Sequence, residues 1–263
     1  MTLFMAKSAK RWRRVSISVL VILLLASGGY WLWWQLGSRA IHQQTYRHTG
    51  IITVFVPGYG SNSLTFGPMV QRFKQDKASD QVTTIHVSAD GKRTITGADR
   101  YNGKNPLINV VFADAKSPQK EVRQLTDLLH WLRVQRHVTR VNLVGHSMGS
   151  NLSFNYMTTP HANLQPQVIN YVSFASEFYR DPTAQIRALP KTLHILVIGG
   201  QVFGAKGDWA VSLAGVKRLA AKFKAAGLST TLFVYTGTPV GAYHSTLHQN
   251  PYVDAEILRF LFT

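Results

Sequence analysis

The sequence contains no cysteine. No disulfide framework can brace it, and no thiolate can act as nucleophile or metal ligand. Acidic side chains are scarce too, with 12 Asp and Glu against 29 Lys and Arg, a net charge of +17 over 263 residues. Any role that needs a carboxylate therefore has few candidates. Charge of either sign is missing altogether from Val15 to Ser38. There is no internal repeat, no basic tract interleaved with aromatics, and no Gly-Lys-Ser/Thr ending of a phosphate-binding loop. These absences exclude a repeat architecture, a phosphate-loop nucleotide site and a recognisable nucleic-acid motif. Five basic residues (Lys7, Lys10, Arg11, Arg13, Arg14) precede the charge-free run. The other 24 are scattered, which suits an anionic envelope, a membrane surface or plain solubility. No nucleic acid and no cofactor are expected as partners.

The charge-free run is long enough for the roughly 20 apolar residues that cross a bilayer as a helix. Tyr30, Trp31, Trp33 and Trp34 gather at its far end like an interfacial belt, and the positive charge lies before it. The reading is a basic cytoplasmic tail at 1–14 and a transmembrane signal anchor at 15–36. A polar spacer follows at 37–49, carrying His42 and His48, and then a single extracellular domain at 50–263. Ala26-Ser27-Gly28 is a poor cleavage site and the run stays apolar beyond it, so secretion after cleavage is the alternative.

From residue 51 onward, apolar strand patterns alternate with helical ones. Strands are predicted at 51–56, 82–87, 107–112, 141–144, 168–174, 192–198 and 230–235. A hairpin return at 93–96 follows Asp90-Gly91. Helices are predicted at 66–77, from Pro118 with Ser117 as N-cap, after Ser147, over 213–223, and from Pro251. Such alternation argues for an α/β fold with a mostly parallel sheet covered on both faces, and ligands then sit beyond the carboxyl ends of the strands. The loop at 97–106 is expected beside that mouth. The stretch 177–191 is too short for more than a small cap, and 199–208 reads as a glycine-rich loop.

Asn142-Leu143-Val144-Gly145-His146-Ser147-Met148-Gly149 is a buried strand, a Gly-x-Ser-x-Gly turn and the start of a helix. Such a turn lifts a serine hydroxyl off the sheet and points helix N–H groups, led by Met148, at a nearby oxyanion. The five-residue pattern alone arises by chance in roughly one such chain in ten. The glycine loop after the first strand, Pro57-Gly58-Tyr59-Gly60, offers the Tyr59 N–H as a second oxyanion donor. The acids downstream are Glu177, Asp181, Asp208, Asp254 and Glu256, the last two on the closing helix. Asp208, between a strand and a helix, suits the orienting acid better than Asp181. His244 and His248 both follow the last strand, and His244 is preferred as base with His248 as substitute. His146 is expected to pack beneath the turn.

Together with Asn105-Pro106-Leu107-Ile108-Asn109-Val110 and His244-Ser245-Thr246-Leu247-His248-Gln249-Asn250-Pro251, the serine turn resembles one group within the α/β hydrolases. These are the cell-surface hydrolases of Gram-positive bacteria assigned to a domain of unknown function. The resemblance spans about residues 50–263. It implies the α/β-hydrolase fold, a hairpin near Asp90-Gly91, and a triad of Ser147, Asp208 and His244. Two departures stand out: Pro57-Gly58 replaces the usual His-Gly, and Lys206-Gly207-Asp208-Trp209 replaces Ser-Asp-Gly. The function expected is a membrane-anchored serine esterase acting on small or envelope esters outside the cell. The alternatives are an acyltransferase or amidase with the same triad, or a non-catalytic domain binding anionic envelope polymers.

Overall fold

The computed structural model describes residues 2–178 and 181–263, with side chains from Trp12 onward. The side chains of Lys7, Lys10 and Arg11 in the expected basic tail lie outside the described residues, as do Tyr179 and Arg180 in the short connection. Helix α1 (Thr2–His42) leads into β1 (Ile52–Val56), α2 (Gly67–Gln75), β2 (Val82–Val87), β3 (Arg93–Gly97) and β4 (Leu107–Phe112). Next come α3 (Pro118–Gln135), β5 (Arg140–His146), α4 (Met148–Thr158), β6 (Gln167–Phe174) and α5 (Thr183–Ala188). The chain closes with β7 (His194–Val202), α6 (Leu213–Ala225), β8 (Ser229–Gly237), α7 (Pro239–Ala242) and α8 (Pro251–Phe262).

The eight strands form one sheet in the order β3-β2-β4-β1-β5-β6-β7-β8. All neighbours are parallel except β2 and β3, which form the expected antiparallel hairpin. Strand β1 is buried along its whole length, and β5 from Val141 onward. A strand covered on both faces reads as a continuous apolar run rather than an alternation. On one face Leu125 and Leu129 of α3, Leu152 of α4 and Phe223 of α6 pack together. On the other, Val70 and Phe73 of α2 meet Ile257 and Leu261 of α8. This is the architecture the resemblance implies.

Three expectations change. Residues 199–202 belong to β7 instead of a loop, because Gly199–Val202 continue the pairing with Val234–Gly237. The segment 98–106 lies at the opposite end of the sheet from the mouth. Asn105 bonds Ala78 and Arg47 just before β4 begins, and Lys104 Nζ reaches the Lys77 carbonyl. The third concerns 37–49. Helix α1 runs on to His42, and its end is docked on the domain: Gly37 sits against Pro251, and Ile41 is 2% exposed in the core beside α8. The reason is side-chain character. Gly37, Ala40 and Ile41 make a small apolar stripe at helical spacing, inside a segment that is polar on average. Covered by the sheet on one side and α1 on the other, α8 buries nine of its twelve residues. Trp12–His42, whose last residues are that docked end, is the one helix among the described residues that is long and apolar enough to cross a membrane.

Candidate active site

Ser147 stands between β5 and α4 with φ +53° and ψ −121°. That conformation is strained for a residue with a Cβ, and surrounding structure must hold it. The surroundings are tight. A Cβ on Gly145 would come within 2.5 Å of the Gly149 carbonyl and the Ser150 backbone. One on Gly149 would lie 2.0 Å from the Val56 oxygen. Only glycine allows β1, the turn and α4 to approach this closely. The Ser147 N–H is fixed to the Phe174 carbonyl at 2.8 Å. The loop after β1 lies directly on the serine, since a Cβ on Gly58 would be 3.2 Å from the Ser147 Cβ. In that loop Gly60 donates to Ala115 at 2.6 Å, while the Tyr59 N–H has no partner among the described residues. Met148 opens α4, so its N–H has no acceptor within the helix.

Asp208 lies past the end of β7, 1% exposed. The turn there uses Trp209 at φ +74° and folds back so that Gly207 bridges Ser212. Asp208 Oδ1 accepts from the N–H groups of Ala210 (3.0 Å) and Val211 (2.6 Å). Oδ2 accepts from Nδ1 of His244 at 2.8 Å. The His244 backbone N–H also donates to the Asp208 carbonyl, at 3.0 Å. Acid and histidine are thus fastened twice. A proton on Nδ1 leaves Nε2 as the free lone pair. Ser147 and His244 line one cleft of about 200 Å³ with Tyr59, Gly60 and His248. No hydrogen bond joins Ser147 to His244.

The other candidates fall elsewhere. Asp181 is exposed, accepts the Thr183 N–H and pairs with Lys222 of α6, which draws its pKa down to about 2. Asp254 is buried against Arg72 at 2.6 Å. His248 lines the cleft but makes no carboxylate contact. Burial, then the charges of Arg72 and His244, push its pKa down to about 4. His146 packs under the turn against the edges of Phe174 and Phe66, as expected. It also does what its sequence position did not announce: Nε2 donates to the His244 carbonyl at 3.1 Å. Full burial, then the charges of His244 and His248, holds the pKa of His146 well below the usual histidine range. A larger cavity of about 520 Å³ lies beside Met148, between α4 and the side chains of Phe178, Pro182 and Gln185. Among the described residues no group of three or more His, Asp or Glu is arranged to hold a metal ion.

A family model described as an alpha/beta hydrolase of unknown function (DUF915) matches residues 40–185 and 182–263. No curated protein matches the chain. Among solved structures, the lin2722 gene product of Listeria innocua is similar at 21% identity and a TM-score of 0.69. That match covers 80% of this chain and 93% of that one. A protein named as a cell surface hydrolase from Lactobacillus plantarum follows at 18% and 0.60, covering 82% and 90%. A Pyrococcus furiosus esterase aligns at 14% and 0.51, covering 81% and 80%. Likeness at these identities speaks for the fold alone. The match of the family model across residues 40–263 goes further, and the chain belongs to the α/β hydrolases of unknown function.

Proposed function

We propose that the chain is a membrane-anchored serine hydrolase of carboxylic esters, with Ser147 as nucleophile, His244 as base and Asp208 as orienting acid. The observation that carries this reading is the strained Ser147 in one cleft with a histidine whose Nδ1 is bound to a buried carboxylate. Ser147 Oγ attacks the ester carbonyl while His244 Nε2 takes its proton. The tetrahedral oxyanion is held by the N–H groups of Met148 and Tyr59. His244 returns the proton to the leaving alkoxide, and an acyl-serine remains. Water, deprotonated by the same nitrogen, then attacks the acyl-serine; the acyl–Oγ bond breaks, His244 returns the proton to Ser147 Oγ, and the carboxylic acid leaves. Asp208 keeps the proton on Nδ1 throughout and balances the imidazolium as it forms. The 520 Å³ cavity beside Met148 gives one arm of the substrate a place to lie. The apolar length of α1 serves as the anchor, with residues 50–263 outside the cell.

A fluorophosphonate probe tests the core of this reading. Wild-type protein should be labelled and Ser147→Ala should not; labelling that survives the substitution sinks the assignment. An ester panel of graded acyl length then defines the preferred substrate.

A further inference from the structure

We infer that the catalytic cleft opens toward the bilayer that α1 crosses, and that its substrate is an acyl ester of a glycerolipid held in that bilayer. The orientation follows from how α1 meets the domain. The substrate class rests in addition on the hydrolase reading above.

Helices α1 and α8 run side by side in the same direction. Gly37 abuts Pro251, Gln44 Nε2 donates to the Ala255 carbonyl at 3.1 Å, and the Arg47 N–H donates to the Phe262 carbonyl at 2.8 Å. Helix α8 starts at the site, where Asn250 Nδ2 holds the Gly241 carbonyl at 2.8 Å, three residues before His244. It ends at the far edge of the sheet, where Asn105 holds the Arg47 carbonyl just ahead of β4. Residues 37–47 of the chain therefore descend from the carboxyl edge of the strands to the amino edge. One turn before Gly37, Trp33 donates to the Tyr235 hydroxyl at 2.8 Å and its ring lies against Gly241. Everything in α1 before Trp33 then projects beyond the edge that carries Ser147 and His244. From Val15 to Leu32 that length is about 27 Å at 1.5 Å per residue, close to a hydrocarbon core.

The surface around the cleft matches this placement. Eight large apolar side chains outside α1 are exposed among the described residues. Six of them follow the carboxyl ends of strands: Tyr59 and Leu64 after β1, Phe203 and Trp209 after β7, Val240 (in the short α7) and Tyr243 after β8. The other two, Val134 at the end of α3 and Leu164 before β6, lie toward the opposite edge. A soluble ester needs no such rim, whereas insertion among lipid acyl chains rewards each exposed apolar group.

The cysteine-free sequence makes the orientation measurable. Full-length single-cysteine variants Leu64→Cys, Val240→Cys, Val134→Cys and Leu164→Cys would carry a nitroxide in vesicles of phosphatidylcholine and phosphatidylglycerol. Labels at 64 and 240 should be reached by oxygen from the lipid phase, and labels at 134 and 164 by a water-soluble nickel chelate. Equal access of the chelate at all four positions overturns the orientation. For the substrate, the same vesicles would carry a fluorogenic diacylglycerol, with a short-chain nitrophenyl ester in solution. Leu64→Asp/Val240→Asp should lose tenfold or more on the lipid and stay within twofold on the soluble ester. Wild-type turnover of the soluble ester alone overturns the lipid substrate and leaves the hydrolase reading intact. Turnover of neither overturns that reading and the substrate with it, while the labels still decide the orientation.

Discussion

Glu121, near the start of α3, is fully buried. One carboxylate oxygen accepts the Ser117 N–H at 3.0 Å and the other has no partner. Burial, with the charge of Asp114 adding to it, pushes the pKa up to about 7. Between the ordinary value of 4.5 and about 7 the folded chain keeps a proton that the unfolded chain has released. Stability contributed by that proton is complete below 4.5, falls as pH rises through the window, and is gone above 7. Glu121→Gln should therefore raise stability at pH 8 by about 1 kcal/mol or more. The gain should fade toward pH 4, as urea unfolding at the two pH values would show. Equal gains at both would mean the effect is not protonation. At the cleft, two histidines divide by environment. His244→Ala should cost about 10³-fold or more in turnover, whereas His248→Ala, which breaks no carboxylate bond, should cost less than about tenfold. Steady-state kinetics on a soluble ester decides between them, and the reverse ranking would transfer the base to His248.

At the scale of elements, the close crossing of β1, β5 and α4 depends on two glycines. Gly149→Ala places a methyl group 2.0 Å from the Val56 carbonyl, so the strand and helix must part. The expected cost is several kcal/mol, read as a fall in the denaturant midpoint together with loss of probe labelling. These elements were legible in the sequence because their signals are local: β-branched buried runs, glycines at a turn, helical spacing of Leu125, Leu129 and Leu132. Asp208 could be singled out as the acid beside His244, which it meets at 2.8 Å, because so few acids follow Ser147. What could not be read depends on contacts distant in the chain. Ser117 is the N-cap residue of α3, as expected, but its hydroxyl accepts no helix N–H. The hydroxyl instead donates to Asp114 at 2.9 Å, while the Ser117 N–H is met by Glu121. The His146 bond to the His244 carbonyl joins residues 98 apart. Arg72, an unremarkable helical arginine by sequence, holds Asp254, Gln249 and the His248 carbonyl, and stacks over Trp34. Low average hydrophobicity hid the docking of residues 37–42, because a narrow stripe of small side chains is enough to seat a helix.

For the whole molecule, that docking sets where the domain can be cut. Deletion of residues 1–32 removes the exposed apolar length and keeps Trp33, Gly37 and Ile41 on α8. Deletion of 1–49 strips them and bares the outer face of α8. Burial of those side chains is worth about 2–4 kcal/mol, so the shorter deletion should melt about 5–10 °C above the longer one. Equal melting temperatures in a thermal scan would show that the contact adds nothing. The same contact has a further consequence. A helix seated on the domain cannot tilt alone, so with α1 across a bilayer, as proposed, any lean it takes to match that bilayer is passed to the cleft. A thin membrane would draw the rim deeper and a thick one would lift or cant it. Turnover of a lipid ester should therefore vary with the acyl length of the surrounding phospholipid, while turnover of a short ester in the same vesicles stays flat. The enzyme would then read membrane thickness through the angle at which it stands.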